Sequence, residues 1–342
     1  MNVIRVLGAA VSIASLAACT ISSDDPNAQV DAVTLVGTSV TSELYSAGAF
    51  GVRTIPTKGD GSAVLSNNLA VNIRVSSPAG VTVSVDKTEC NTPDPGSSVN
   101  VGVIIDDSGS MSSSDPSRKR KDAVLSFLKT LRDKDAVLLT DYGQSSSTGK
   151  PLRDLVCASS GGGSCAVSAQ GFTSDRAALE KAADLIRASG GTPLFESCVQ
   201  MLEVMDGVKS GRRAVLLLSD GQPNSMTQRD ACHSAAKAAQ IPVYTVGLGP
   251  AAEGDKGAND TAVKVLRELA SDTSAAYASA DIPEQLDRLF VSMGAAVTKG
   301  SCSSAARVSG VEKILPGTRV KGEIEVGAKG AKTPFEFVAP KK

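Results

Sequence analysis

The chain is 342 residues long, 42% apolar and nearly neutral, with 35 Lys and Arg against 36 Asp and Glu and a formal net charge of -1. That balance leaves no basic footprint for nucleic acid, and the length allows a sizeable core divided between two domains. Trp is absent and aromatic residues make up only 3%, which argues against a groove that stacks sugars or aromatic peptide side chains.

At the N-terminus, Arg5 precedes an apolar run from Val6 to Ala18. The run is too short to cross a bilayer but has the length of an export signal, placed at residues 1–18. It closes on Leu16-Ala17-Ala18-Cys19, which resembles a bacterial lipoprotein signal. The resemblance implies cleavage before Cys19 and lipid on its thiol, with several acyl chains holding the protein to a membrane. Residues 19–29 then read as a flexible tether. Thr20, where many inner-membrane lipoproteins carry Asp, favours the outer membrane of a bacterial envelope.

Residues 30–92 alternate in the manner of half-buried strands. Leu69, Val71, Ile73 and Val75 recur at period two, as do Val81, Val83 and Val85, with Pro78-Ala79-Gly80 as the turn between them. Asn91 to Ser97, rich in Pro, Asp and Gly, reads as a boundary. From 98 to 297 the rhythm changes to strand then helix. The apolar runs Val101–Ile105, Ala136–Leu139, Ala214–Leu218 and Val243–Val246 read as strands buried on both faces. Asp115-Pro116 offers a cap and first-turn proline for a helix whose stripe is Val124, Phe127, Leu128 and Leu131. Further stripes are Leu179, Ala182, Ala183 and Ile186, then Val265, Leu266 and Leu269, then Leu286, Leu289 and Phe290. This alternation predicts an α/β domain with a doubly wound, mostly parallel sheet, its ligand edge beyond the strand C-termini. Residues 301–342 hold two more strand patterns, Val320, Ile324 and Val326 around Gly322, and then Pro334–Val338. The segments 30–92 and 301–342 are too small to stand alone. They are expected to pack into one β-sandwich-like module that flanks the central domain or has it inserted.

Besides Cys19, an even set of cysteines remains: Cys90, Cys157, Cys165, Cys198, Cys232 and Cys302. Such a set suits disulfides in an oxidising compartment. Zinc is the competing reading, but no CxxC occurs and His233 is the single histidine. Cys157 and Cys165 flank Ser-Gly-rich residues and are expected to close a small loop. Cys90 with Cys302 would clasp the central domain, and Cys198 with Cys232 would join two helices, although the sequence leaves those pairings open.

Three loops at the expected strand ends carry oxygen ligands. Asp106-Asp107-Ser108-Gly109-Ser110 follows the first buried run, Thr192 stands in Gly190-Gly191-Thr192-Pro193, and Asp220 stands in Leu218-Ser219-Asp220-Gly221. An all-oxygen set suits a hard cation, and two carboxylates roughly neutralise a divalent ion that retains open positions. Gly109 and Gly190-Gly191 would let the loops approach closely.

These motifs resemble the metal-ion-dependent adhesion site of the von Willebrand factor type A family, over roughly residues 98–297. The resemblance implies Mg²⁺, with Mn²⁺ or Ca²⁺ as alternatives, held directly by Ser108 and Ser110. It implies that Thr192 binds directly or through water, and that Asp106 and Asp220 act mostly through water. Asp107 fills the unconstrained motif position and is expected to lie behind the ligands or at the surface. Lys119, Arg120 and Lys121 read as a solvated helix start.

No Glu-His metalloprotease motif and no phosphate-cradling glycine loop with its lysine occur, and His233 reads as a packed helical residue beside a disulfide. The expected function is therefore protein binding rather than catalysis, with no small-molecule substrate. A partner Asp or Glu would complete the metal sphere of an adhesin or docking subunit in the bacterial envelope. Residues 143–172 are the expected recognition loops. The alternatives are a scaffold subunit of an envelope or motility complex that binds through its β module, and a Mg²⁺-assisted hydrolase.

Overall fold

The structure, a computed structural model, describes residues 24–94, 96–142, 150–162, 165–221, 223–253 and 260–341. The export signal, Cys19, the start of the tether and parts of the 143–172 segment lie outside the described residues. No described helix is long and apolar enough to cross a membrane.

Thirteen strands are described: β1 (Ala32–Ser39), β2 (Ala49–Thr57), β3 (Val71–Ser77), β4 (Thr82–Asn91), β5 (Val99–Asp106), β6 (Ala136–Tyr142), β7 (Arg153–Asp154), β8 (Arg212–Ser219), β9 (Val243–Leu248), β10 (Tyr277–Ala280), β11 (Ser301–Ser309), β12 (Arg319–Val326) and β13 (Ala331–Val338). The main helices are α1 (Lys119–Leu128), α2 (Arg176–Ala183), α3 (Leu194–Asp206), α4 (Arg229–Ala238), α5 (Asp260–Asp272) and α6 (Leu286–Lys299).

Strands β10, β9, β8, β5 and β6 form a parallel sheet in that order. Each predicted apolar run lies within one of its members. Successive side chains of a strand point to opposite faces, and the helices cover both. Val101, Val103 and Ile105 pack with Val124 and Phe127 of α1, Leu179 of α2 and Phe290 of α6. Ile104 packs on the other face with Phe195 and Met201 of α3, Ala236 of α4 and Leu266 of α5. This is the doubly wound α/β arrangement.

The flanking segments do pack together, around a third core that includes Phe50 of β2, Val320 of β12, and Phe335 and Phe337 of β13. Yet they are not a separate module. With the two-residue β7 beyond β6, strands β4, β11, β2 and β1 extend the central sheet to ten strands, and β13, β12 and β3 form the opposing second sheet. Alternation in the sequence marks a half-buried strand but not which sheet receives it. Cys90 and Cys302 lie directly opposite each other on β4 and β11 and are bonded. Cys157 bonds Cys165, and Cys198 of α3 bonds Cys232 of α4.

Candidate metal centre

The C-terminal ends of β5 and β8 are neighbours, so the serine loop after β5 meets the Asp220 loop after β8. Asp106 joins them. Its Oδ1 accepts the Ser108 amide at 2.9 Å, while Oδ2 accepts the Ser219 hydroxyl at 2.7 Å and the Asp220 amide at 3.4 Å. Ser108 Oγ lies 3.0 Å from Ser110 Oγ, and Ser110 Oγ donates to Asp220 Oδ1 at 2.8 Å. The threonine loop docks on the other two: the Gly109 amide donates to the Gly190 carbonyl and the Asn224 amide to the Thr192 carbonyl, both at 2.9 Å. Thr192 Oγ1 and Ser110 Oγ each lie 3.9 Å from where a Cβ on Gly221 would stand. All five predicted ligands therefore converge on one edge of the sheet.

Of the three glycines expected to allow close approach, Gly190 is the one the backbone requires, at φ +80°, whereas a Cβ on Gly191 would meet only the end of the Asn224 side chain. A Cβ on Gly109 would make ordinary contact with the Gly190 carbonyl at 3.5 Å.

The residues present fit a divalent cation. Asp220 Oδ2 is buried with no hydrogen-bond partner. Burial and the neighbouring Asp106 charge push the Asp220 carboxyl upward, so a positive ion here would relieve both penalties. The described residues hold no group of three or more His, Cys, Asp or Glu side chains placed around a metal, so hydroxyls must complete the donor set. That chemistry suits Mg²⁺ or Mn²⁺ better than a soft ion.

Behind the ligands lies a charged network that decides between the two places expected for Asp107 and corrects the one expected for Arg120. Asp107 is not a surface carboxylate but fully buried. It accepts Arg120 Nε at 3.0 Å through Oδ1 and the Arg187 amide at 2.6 Å through Oδ2. Its own amide donates to the Tyr142 carbonyl at 3.1 Å, and its carbonyl accepts the Ser189 amide. Asp107 thereby ties the serine loop to β6, to α1 and to the segment leading into Thr192. Its carboxyl is pushed up to about 8 by burial and by the adjacent Asp141, against the pull of Arg120.

Arg120 is likewise no solvated residue, being 1% exposed. Besides Asp107 it binds Asp115 Oδ2 through Nη1 at 2.9 Å. Lys119 and Lys121 do stay partly exposed, beside Asp122 and Asp184 respectively. The sequence carried a signal for Arg120. Positions 120, 123, 124, 127 and 128 share one helical face, so Arg120 prolongs the apolar stripe of α1 inward. The expected cap also shifts: the helix begins at Lys119, after Arg118 in a left-handed conformation, and Pro116 precedes it. Asp115 still caps it from further back, accepting the Lys119 amide at 2.7 Å and the Arg120 amide at 2.9 Å.

His233 is buried on α4, with Nδ1 2.7 Å from Asp272 Oδ2 and its ring beside Phe195. It adjoins the Cys198–Cys232 bond and is held to α5 through Asp272. Of the expected recognition loops, the described part contains a short helix, Leu155–Ser159, capped by Asp154 and closed by the Cys157–Cys165 bond.

The family model for the von Willebrand factor type A domain matches residues 100–290, more than half of the chain. The chain belongs to the von Willebrand factor type A family. Comparison with curated proteins gives no match. Among solved structures, the chain is similar to a von Willebrand factor type A protein from Catenulispora acidiphila, at 17% identity over 81% of this chain and 75% of that one, TM-score 0.48. It is also similar to the vWF domain of the type V pili tip protein Mfa5 from Porphyromonas gingivalis, at 14% identity over 58% and 94%, TM-score 0.42. A third is proximal thread matrix protein 1 from the mussel byssus, described with a zinc-occupied MIDAS motif, at 14% identity over 65% and 50%, TM-score 0.41.

Proposed function

We propose that this type A domain binds a protein partner through a divalent cation held by Asp106, Ser108, Ser110, Thr192 and Asp220. The observation that carries this reading is the convergence of these oxygens at one sheet edge, with a buried Asp220 oxygen left unbonded. Ser108, Ser110 and Thr192 supply neutral ligands, so two carboxylates balance the ion. A Mg²⁺ held by these residues would supply the Lewis acidity that attracts an Asp or Glu of the partner. The protein's share is to hold the hydroxyls in place, and the Asp107–Arg120–Asp115 network is the support that does so. The role is docking rather than catalysis.

The lipoprotein-like Cys19 motif supports attachment to a bacterial envelope membrane, with the site presented outside the cytoplasm. An adhesin or a docking subunit of an envelope assembly fits both features. The test is capture from envelope extracts by wild type and by Asp106→Ala, each with Mg²⁺ and with EDTA. The same partner should be retained by wild type in Mg²⁺ and lost in the other three conditions while the variant stays folded. Capture that survives both Asp106→Ala and EDTA would move the docking point to the β strands and favour the scaffold reading.

A further inference from the structure

The ten-stranded sheet has one incomplete seam. β1 and β10 pair antiparallel at a single position, Thr38↔Tyr277, although β1 extends back to Ala32 and β10 onward to Ala280. The strands touch where Gly37 lacks a side chain, since a Cβ there would collide with the Tyr277 carbonyl oxygen. Directly beyond, the β1 ladder is bulged between Leu35 and Gly37. Bulges bend a strand and end pairing. A cleft of about 560 Å³ fills the resulting gap, lined by Leu35, Ser279, Arg288, Lys321 and Phe335 among others. That volume is in the range of ligand sites, and the seam lies where two cores meet.

The register fixes which main-chain groups face the gap. Antiparallel ladders alternate bonded and non-bonded pairs. Pro56 has no amide hydrogen, so Val33↔Pro56 is a non-bonded pair and Thr34↔Ile55 a bonded one. The amides and carbonyls of Val33 and Leu35 therefore point away from β2, toward β10. The extra residue in the bulge shifts the alternation, which turns Thr38 to the β10 side as its pairing with Tyr277 requires. On β10, the Thr245 amide donates to the Ala276 carbonyl, so Ala276 and Ala278 serve β9 while Tyr277 and Ser279 face β1. Val33, Leu35 and Ser279 thus line the cleft with strand-edge donors and acceptors that do not reach one another.

We infer that this slot binds an extended peptide segment of a partner protein. The vacant groups repeat as a strand edge does, and only another extended main chain satisfies them in series. Because β1 and β10 are antiparallel, the inserted segment runs antiparallel to one and parallel to the other. The cleft is lined by both signs of charge, Arg288 and Lys321 beside Asp281 and Glu336, so the strand-edge main chain carries the recognition. The slot opens toward the C-terminal edge of the parallel strands, where Asp106 and Ser219 end β5 and β8. Three to four strand spacings, roughly 15–19 Å, separate the two sites, a span of about five or six extended residues. A single partner segment can therefore fill the slot and offer a carboxylate to the cation. This last link rests on the proposed docking function, whereas the slot itself does not.

The test is amide hydrogen exchange on the full chain with an acetylated Thr-Val-Thr-Val-Thr-Val amide peptide, its N-methylated counterpart as control, and the Asp106→Ala variant alongside wild type. Val33, Leu35 and Ser279 should exchange freely without peptide and at least tenfold more slowly with it, in wild type and Asp106→Ala alike. The N-methylated peptide should leave them unchanged. The inference is overturned if these amides are protected without peptide, if saturating peptide changes nothing, or if the N-methylated peptide protects them equally. Protection retained in Asp106→Ala while envelope capture is lost separates the slot from the cation site.

Discussion

Replacing Arg120 with Met tests whether the buried network holds the metal loops in place. Arg120, Asp107 and Asp115 are each no more than 1% exposed. The substitution keeps the volume of the stem but removes the 3.0 Å bond to Asp107 and the 2.9 Å bond to Asp115. Asp115 then stays in the interior without its cation, and Asp107, already pushed up to about 8, takes up a proton instead of remaining charged. Removing one partner of a buried ion pair costs about 3–5 kcal/mol, because the other charge remains desolvated. Here each carboxylate retains main-chain donors, Arg187 for Asp107 and Lys119 and Arg120 for Asp115, so the cost belongs near the middle of that range. For a chain of 342 residues about 4 kcal/mol lowers Tm by about 6 °C. Asp107 adjoins Asp106 and Ser108, so Mn²⁺ affinity should fall at least tenfold as well. Arg120→Lys should recover part of the loss, since an ammonium reaches one carboxylate and not both in the same geometry. Thermal unfolding in EDTA followed by circular dichroism, and calorimetric titration with Mn²⁺, measure the two effects. An Arg120→Met protein within 1 kcal/mol of wild type, with unchanged Mn²⁺ affinity, would refute the reasoning.

Asp220→Asn removes a carboxylate that burial and Asp106 disfavour, so in EDTA the variant should melt no lower than wild type. It should gain nothing from Mg²⁺, whereas wild type should gain about 2.7 kcal/mol at a hundredfold excess over Kd. Burial works against the Asp135 charge, but the Arg132 guanidinium and the amides of Arg132 and Val99 outweigh it and hold the carboxyl below its usual range. Its stabilisation is therefore complete above the unfolded value near 3.8 and disappears as pH falls through the lower folded value. Acid titration of Asp135→Asn should show lower stability at pH 6 and a shallower decline below pH 4; an unchanged slope would contradict this. Cys90 and Cys302 close a span of 212 residues, so replacing both with Ser should cost about 5 kcal/mol on the chain-entropy estimate, read from the denaturant midpoint. A loss below 1 kcal/mol would show that the β4–β11 ladder needs no clasp.

The parallel strands were legible because burial on both faces leaves an uninterrupted apolar run, as in Val101–Ile105. Asp106, Ser108, Ser110 and Asp220 were legible as candidate oxygen donors because they stand where such a run stops, whereas Thr192 stands in the turn before α3 and was legible only through the family resemblance. What escaped was the meaning of charge in a charged neighbourhood. Arg120 sits between two lysines, and a residue count sees one polar segment. The helical phase puts Arg120 over Val124 and Phe127, and Asp107 is drawn inside to meet it. The attachment of the flanking strands escaped for another reason. Period-two alternation specifies a strand with one wet face, while its neighbour is chosen by register, bulges and the Cys90–Cys302 bond, all of which arise from long-range pairing.

The central claim is a divalent cation at the meeting point of the three loops, and anomalous diffraction from crystals grown with Mn²⁺ tests it most directly. The account predicts one strong peak within coordination distance of Ser108 Oγ and Ser110 Oγ, beside Thr192 and Asp220, and no such peak in Asp106→Ala crystals. An ordered site in wild-type crystals with no anomalous density among these oxygens would contradict it.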